Sequence, residues 1–419
     1  MTAPTASSPF ASANPHALAT ILEASQTKSI IASSDIFDLA GLKLWARDQP
    51  VSAELQRKLL DRKLRNPLET CLMAEDGINS QTLLQATWQL VDGNTALAPL
   101  LRPHAQRLMQ DIPHLPLHSV AQLLLTAAQA SRPESFDHAV QAMALAGALM
   151  IEARGSVSEV RLAMLGGLLH DLGEMYIDPR YGAAGADLSL DFSSYQQLVV
   201  HPHVGRLLLT QLTNYPASLA RAVAEHHERL DGSGYPHALQ RNDLSSLGRM
   251  LAVTEATLGA MRGPGATLAR ASVALRVVPG EFDLHWVGGI AKAARGELQN
   301  VCAQRPETLK LRLARLDAGL LAAQTCVDAL AGSAESAALK DSLALADHLL
   351  RRLRTGWTAI GLWSTDTSAG HDVAELEAVE NELSFRLRSV ERAALLRAGE
   401  LPDDDARRLS LLCDSLRLT

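Results

Sequence analysis

Histidines and carboxylates are concentrated in one helical stretch of the chain, and this concentration constrains the fold most. The chain has 14 histidines among 419 residues, and six of them lie between residues 138 and 227. Apolar residues recur three and four positions apart through this stretch, which is the period of a helix with one buried face. Burying ligand-type side chains without partners would be costly. The pattern therefore predicts a helical domain that brings histidines and acids to one polar site.

The first two segments of this series each end or begin a helix with paired ligand-type groups. Glu134 and His138 are four positions apart, so on a helix both side chains project from one face. The apolar run in LGGLLHDLG ends at His170 and Asp171, at the mouth of a predicted core. Either pair could bind a metal ion.

The next two segments continue the series. In HPHVG, His201 precedes a proline, and in AEHHERLDGSGYP the adjacent His226 and His227 precede a glycine-rich loop. Adjacent histidines diverge by about 100° on a helix, so they could serve two neighbouring metals or one metal at the helix end.

Taken in order and at these separations, HDLG, HPxxG and HHExxDGxGYP resemble the HD-GYP subgroup of the HD phosphohydrolases. The resemblance covers residues 131–297 and includes the segments LGRMLAVTEATLGAM and VPGEFDLHWV. It implies a helical domain that hydrolyses the bacterial second messenger cyclic di-GMP to pGpG and GMP.

The resemblance also implies the roles of individual residues. His170 and Asp171 match the signature catalytic pair, and Asp171 is the expected bridge between metals. Glu134 matches an acidic ligand of members with a third metal, and Glu255 stands where the family has Asp. The implied metal ligands are Glu134, His138, His170, Asp171, His201, His226, His227 and Glu255.

Mixed imidazole and carboxylate ligands suit iron or manganese, whereas the chain shows no thiolate pairing for a zinc ribbon. We expect two or three divalent ions at the site. Two cations bridged by Asp171 would activate a water for in-line attack on a phosphodiester and neutralise the developing charge.

Substrate-contacting positions depart from the family pattern. Glu174 stands where the family usually has Lys, which reverses the charge beside an anionic substrate. Three hypotheses stay open: a cyclic di-GMP phosphodiesterase, a phosphohydrolase of another nucleotide, and a catalytically weak sensor or adaptor. The candidate substrate contacts are Glu174, Arg229, Asp231, Gly234, Tyr235, Pro236 and Arg262.

The rest of the chain divides by composition and period. Residues 1–26 are rich in Ala, Ser, Thr and Pro and predict a flexible tail. Residues 27–115 predict a small α+β module with two strands that turn near Gly41. Residues 116–297 form the predicted phosphohydrolase domain and residues 298–419 a helical extension, so the fold class is mainly α.

Partners and location follow from charge and cysteine usage. A net charge of −7 gives no reason to expect DNA binding, although a nucleotide pocket remains possible. Four scattered cysteines and the absence of a leader or a long apolar run predict a cytoplasmic protein without a membrane span. The resemblance implies contact of the GYP loop with GGDEF-type proteins. A homodimer is possible, although the C-terminal period favours a helical bundle over a dimerisation coiled coil.

Overall fold

The protein is mainly helical, which confirms the predicted fold class. The computed structural model describes residues 9–179, 192–262, 267–295, 306–359, 373–398 and 401–417. Within these ranges the only β-structure with paired strands is two small antiparallel sheets near the N-terminus. Among the described helices, none combines the length and apolarity needed to cross a bilayer.

The N-terminal part contains short helices and strands. They are α1 (Pro15–Ala24), β1 (Ile30–Ala32), β2 (Ile36–Phe37), β3 (Lys43–Trp45), α2 (Ala53–Leu59) and β4 (Leu72–Ala74). Strand β1 pairs with β4, and β2 pairs with β3. The chain turns between β2 and β3 at Gly41, as the sequence predicts.

Helix α1 corrects the prediction of a flexible tail over residues 1–26. The Asn14 side chain caps the helix by accepting hydrogen bonds from the backbone N–H groups of His16 and Ala17, at 3.0 and 3.1 Å. Ile21 is fully buried against the central helices. Composition alone does not reveal the apolar surface on which such a segment packs. Residues 1–8 of the predicted tail lie outside the described residues.

The central helices share one continuous core with the N-terminal elements. Their bounds are α3 (Ser80–Asp92), α4 (Ala98–Leu101), α5 (Ala105–Asp111), α6 (Ser119–Ser131), α7 (Pro133–Glu152), α8 (Val157–Leu169), α9 (Phe192–Leu212), α10 (Ala217–Glu225), α11 (Ser246–Ala260), α12 (Leu268–Ala274) and α13 (Leu284–Ala294). A 3₁₀ turn, Leu172–Tyr176, follows α8 and packs on α9. The ends of α8 and α10 point their last residues into the same interior region.

The C-terminal helices build a second core. They are α14 (Pro306–Ser333), α15 (Ala337–Ala359), α16 (Val373–Ala398) and α17 (Asp403–Arg417). Val273, Val277 and Val278 of the central part contribute to this second core, so the two parts pack directly on each other. The predicted boundary between residues 297 and 298 lies outside the described residues, and the domain limits stay predictions.

Candidate metal centre

Close packing of α7 on α8 brings the first two histidines together. A Cβ atom added at Gly167 of α8 would collide with the backbone of Ala142 in α7, so glycine permits the two helices to touch. His138 lies one turn before Ala142, and His170 lies one turn after Gly167. The His138 Nε2 and His170 Nε2 atoms are consequently only 3.2 Å apart.

The turn after α8 brings this pair to α9. A Cβ atom at Gly173 would collide with the carbonyl oxygen of His201, so only glycine allows the turn to approach the helix this closely. The approach places His201 Nε2 3.4 Å from Oδ1 of Asp171. The glycine of HDLG thus serves the geometry of the site through packing.

Asp171 lies between two groups of potential metal ligands, each with donor atoms within 4.8 Å of one another. Its Oδ2 is 3.3 Å from His138 Nε2 and 3.1 Å from His170 Nε2. Its Oδ1 is 3.4 Å from His201 Nε2 and 3.2 Å from His226 Nε2. The first group consists of His138, His170, Asp171 and Glu255, and the second of Asp171, His201, His226 and His227.

Backbone carbonyls orient two of the histidines. His170 and His226 follow directly on the last residues of α8 and α10, where the final carbonyls have no partner within the helix. The Nδ1 atoms of these rings lie 2.7 Å from Gly167 O and 2.6 Å from Val223 O. Because a carbonyl only accepts, each Nδ1 carries the proton and each Nε2 is left for the site.

Proline gives His201 the same orientation inside a helix. Pro202 has no N–H, so the carbonyl of Leu198, four residues earlier, receives no helical hydrogen bond. The His201 Nδ1–H donates to that oxygen at 2.6 Å. The HP pair therefore combines a ligand with the break in the helix that positions it.

The carboxylates dominate the electrostatics of the first group. Burial alone would lower the pKa of His138, but Glu255 and Asp171 outweigh it and raise the pKa to about 9. Burial works against ionisation of Glu255, yet His138 and Arg262 hold its pKa well below its usual range. Without metal, a proton on His138 thus neutralises part of this negative charge.

The second group consists of three imidazoles and one carboxylate. Burial alone would lower the pKa of His201, but Asp171 and Glu174 outweigh it and raise the pKa. The other two imidazoles are neutral. Burial lowers the pKa of His226 to about 4, and burial together with His226 holds the pKa of His227 well below its usual range. Asp171 Oδ1 is buried and accepts no hydrogen bond from any described residue. Imidazole Nε2 atoms around a carboxylate oxygen that accepts no hydrogen bond are the donor set that a divalent ion requires, so the residues fit such a group.

The structure brings seven of the eight predicted metal ligands into these two groups. Glu134 is the exception, because its side chain is exposed on α7 and belongs to neither group among the described residues. Glu255 reaches the first group, with Oε2 2.9 Å from His138 Nε2. The extra methylene relative to Asp is therefore accommodated here. That these residues bind metal stays a prediction.

The predicted substrate contacts divide into two sets. Glu174, Tyr235 and Arg262 lie beside the ligand groups. The Tyr235 ring stacks on His227 with ring centres 4.5 Å apart, and Arg262 Nη2 donates to Glu255 Oε1 at 3.2 Å while half exposed. Burial and the charge of Asp171 raise the pKa of Glu174 to about 7.

The other set serves the loop itself. Gly234 lies against the backbone of Glu228 and Arg229, and Pro236 follows Tyr235 through a cis peptide bond. The ionic groups of Arg229 and Asp231 are engaged with residues outside the metal site. They do not face the two ligand groups as free substrate contacts.

Two buried carboxylates that sequence reasoning did not assign support this arrangement. Glu228 accepts hydrogen bonds from the backbone N–H groups of His237 and Leu239, at 2.7 and 2.9 Å. Glu225 accepts from Ser245 N at 2.9 Å and pairs with Arg221. The sequence signal for both carboxylates is that an acid stands on each side of an HH pair at the end of an apolar helix.

Residues 122–278 match the HD domain family. The chain is 30% identical over 208 residues to the cyclic di-GMP phosphodiesterase PA4108 of Pseudomonas aeruginosa. The aligned segment covers 49% of this chain and 47% of that protein. It is 30% identical over 172 residues to the cyclic di-GMP phosphodiesterase response regulator RpfG of Xanthomonas campestris, an alignment that covers 39% of this chain and 45% of that protein. It is 28% identical over 137 residues to the 3′3′-cGAMP-specific phosphodiesterase 1 of Vibrio cholerae, an alignment that covers 33% of this chain and 31% of that protein.

The chain thus spans less than half the length of these curated relatives. The matched region contains all seven of the clustered ligand-type residues. Residues 122–278 are therefore similar to the HD domain family, and the HDLG, HPxxG and GYP motifs all lie within them.

Proposed function

We propose that the chain is a metal-dependent phosphodiesterase that hydrolyses a cyclic dinucleotide. The observation that carries the proposal is the position of Asp171, whose two carboxylate oxygens each face a different group of ligand atoms. Two divalent ions held by these groups would supply a water activated for attack and would offset charge on the phosphate. Iron or manganese suits the donor set.

The chain's own residues hold and shape this site. His170 and Asp171 contribute to the first group directly, while backbone carbonyls orient the rings of His170 and His226. Arg262 is the half-exposed cation beside the site, and it is the residue that we assign to a substrate phosphate. Tyr235, stacked on His227, would border the bound nucleotide.

We propose cyclic di-GMP as the substrate. One water would open the ring to linear pGpG, and a second would cleave pGpG to two molecules of GMP. Two of the relatives are named as phosphodiesterases of this nucleotide, which supports the choice. A second candidate is a different cyclic dinucleotide, since another relative is named for 3′3′-cGAMP and Glu174 changes the charge near the site.

The test is anaerobic purification with metal analysis, followed by chromatography of products from cyclic di-GMP and from 3′3′-cGAMP. We expect at least two metal ions per chain and production of pGpG and GMP. Turnover of 3′3′-cGAMP alone would favour the second candidate. Stoichiometric metal and tight nucleotide binding without any product would refute the enzyme and indicate a sensor or adaptor.

The Glu174→Lys variant tests, separately from turnover, how the charge at this position affects binding of the substrate phosphate. If the Glu174 carboxylate repels the substrate, lysine should increase the affinity for the cyclic dinucleotide, measured by calorimetry on the metal-loaded protein. Glu335→Lys makes the same charge change at an exposed position between α14 and α15, away from the ligand groups, and is the matched control. Equal affinities of the two variants would show that Glu174 does not contact the phosphate.

A further inference from the structure

A buried charge network connects the GYP-containing loop to the C-terminal helices. We call residues 228–240 the glycine loop. Arg229 and Asp231 of this loop, which the motif suggested as substrate contacts, have side chains only 14% and 6% exposed. Their ionic partners are Glu281, in the segment before α13, and Arg352 of α15; Glu281 in turn pairs with Arg386 of α16.

Glu281 is the centre of the first part of the network. Its carboxylate pairs with Arg386 of α16 and lies 3.5 Å from Arg229 Nε, and its side chain is 3% exposed. Its backbone carbonyl accepts a hydrogen bond from Leu230 N at 2.9 Å. The Phe282 ring has the Arg229 guanidinium at 4.7 Å and the Arg386 guanidinium at 5.7 Å.

Helix α16 holds Arg386 firmly in this position. Arg386 also donates to Glu382 Oε1 at 2.7 Å and to the Ala274 carbonyl at 3.2 Å. Removing one partner from a buried ion pair leaves an uncompensated charge, which is strongly unfavourable. Arg386 therefore joins helix α16 to the segment around Glu281.

Helix α15 contacts the glycine loop at Asp231. The His348 ring donates from Nε2 to the Asp231 carbonyl at 3.0 Å, and Arg352 Nε lies 3.7 Å from the Asp231 carboxylate. The Asp231 side chain also accepts from Ser233 N and Oγ, at 3.0 and 2.7 Å. Helix α15 thus contacts the loop directly, through its backbone and its charge, whereas α16 is linked to the loop through Glu281.

The same loop is joined directly to the second ligand group. Tyr235 N donates to the His227 carbonyl at 3.2 Å, and the Tyr235 ring stacks on the His227 ring. Glu228, the residue after His227, accepts from two loop amides. A displacement of the loop would therefore move His227.

We propose that the C-terminal helices hold the glycine loop in place and thereby position His226 and His227 for metal binding, with Arg352 and Arg386 as the positioning residues. The inference rests on the proposed metal site and not on the identity of the substrate. It makes the C-terminal helices part of the machinery of the site. Any partner that displaces α15 or α16 would weaken the second ligand group.

The experiment uses the full chain and two measurements. Hydrogen exchange of the metal-free protein reports the order of residues 228–240, and titration with Mn²⁺ reports the site. The variants are Arg352→Met, Arg386→Met and Arg386→Lys. Arg351→Met is the matched control, since Arg351 precedes Arg352 on α15 but is exposed and pairs with Asp347.

We expect Arg352→Met and Arg386→Met to speed exchange in residues 228–240 at least about fivefold and to weaken Mn²⁺ binding about tenfold. Arg386→Lys should restore part of both losses, and Arg351→Met should change neither. If Arg386→Met does not fold, Arg352→Met combined with Asp231→Asn decides, because coupled residues give less than additive effects.

Unchanged exchange in residues 228–240 of Arg352→Met and Arg386→Met would overturn the proposal. So would faster exchange spread evenly over the whole chain, which would indicate general destabilisation. Failure of the wild-type protein to bind Mn²⁺ would refute the proposed metal site, whereas the exchange measurement would still decide whether the helices order the loop.

Discussion

Replacing Glu174 with Gln should stabilise the metal-free protein in a pH-dependent way. Burial and Asp171 raise the pKa of Glu174 to about 7, against 4.5 for the ordinary group. Ionisation is therefore disfavoured in the folded state. Below pH 4.5 the acid is protonated in both states and costs nothing. As the pH rises from 4.5 to 7, the unfolded chain releases the proton while the folded protein retains it, and stability falls.

The size of this effect follows from the shift. An increase from 4.5 to about 7 corresponds to about 3 kcal/mol of lost stability, complete above pH 7. Glutamine cannot ionise, so the stability difference between Glu174→Gln and wild type should grow by about 3 kcal/mol between pH 4.5 and pH 8. Urea unfolding in the presence of a chelator measures it, with Glu134→Gln as the control for loss of an exposed acid.

Adding Mn²⁺ provides a second arm of this experiment. Cations beside Asp171 would favour the ionised form of Glu174 and should reduce the pH dependence. A stability difference that stays constant from pH 4.5 to pH 8 without metal would refute the assignment of Glu174 to a desolvated position beside Asp171.

Three further predictions concern the ligand groups. Asp171→Asn should weaken Mn²⁺ binding more than about 100-fold at both sites, since both groups share this carboxylate; calorimetry that finds one site intact would contradict the shared position. His138 retains its proton up to about pH 9, so Mn²⁺ must displace it, and the affinity should rise nearly tenfold per unit between pH 7 and pH 8.5. Competition with a fluorescent chelator measures this rise, and a flat profile would argue against it. Gly173→Ala should lower the free energy of unfolding, measured in urea, by about 1–3 kcal/mol, because the added methyl group would collide with the His201 carbonyl. An unchanged unfolding midpoint would show that the turn can move away.

The ligand-type residues could be predicted from sequence because most of them lie in short motifs, although each ligand group combines residues from several motifs. His170 with Asp171 and His226 with His227 are adjacent in the chain, and both pairs occur at helix ends. Glu255 was found at its expected place in the series despite the longer side chain. Local spacing thus predicts the individual pairs, whereas the resemblance to the HD-GYP subgroup predicts which distant residues meet, such as His138 and Glu255.

Other features depend on contacts between distant residues and were not predictable. Helix α1 is ordered because Ile21 packs on the central helices and because Asn14 donates to the carbonyl of Tyr176, 162 residues away. The partners of Arg229 include Glu281, which in turn pairs with Arg386. A motif that ends at the GYP sequence does not include these partners, so the sequence alone predicts Arg229 as a substrate contact.

The three hydrogen bonds from histidine Nδ1 atoms to main-chain oxygens have a consequence for divergence. An acceptor on a side chain is lost by one mutation, whereas the carbonyls of Gly167, Leu198 and Val223 persist whatever residue replaces their side chains. The orientation of the rings therefore tolerates change at the residues that provide it, as long as the helices end, or break at Pro202, where they do now. Such an arrangement lets the surrounding sequence change while the path of the backbone keeps the rings oriented.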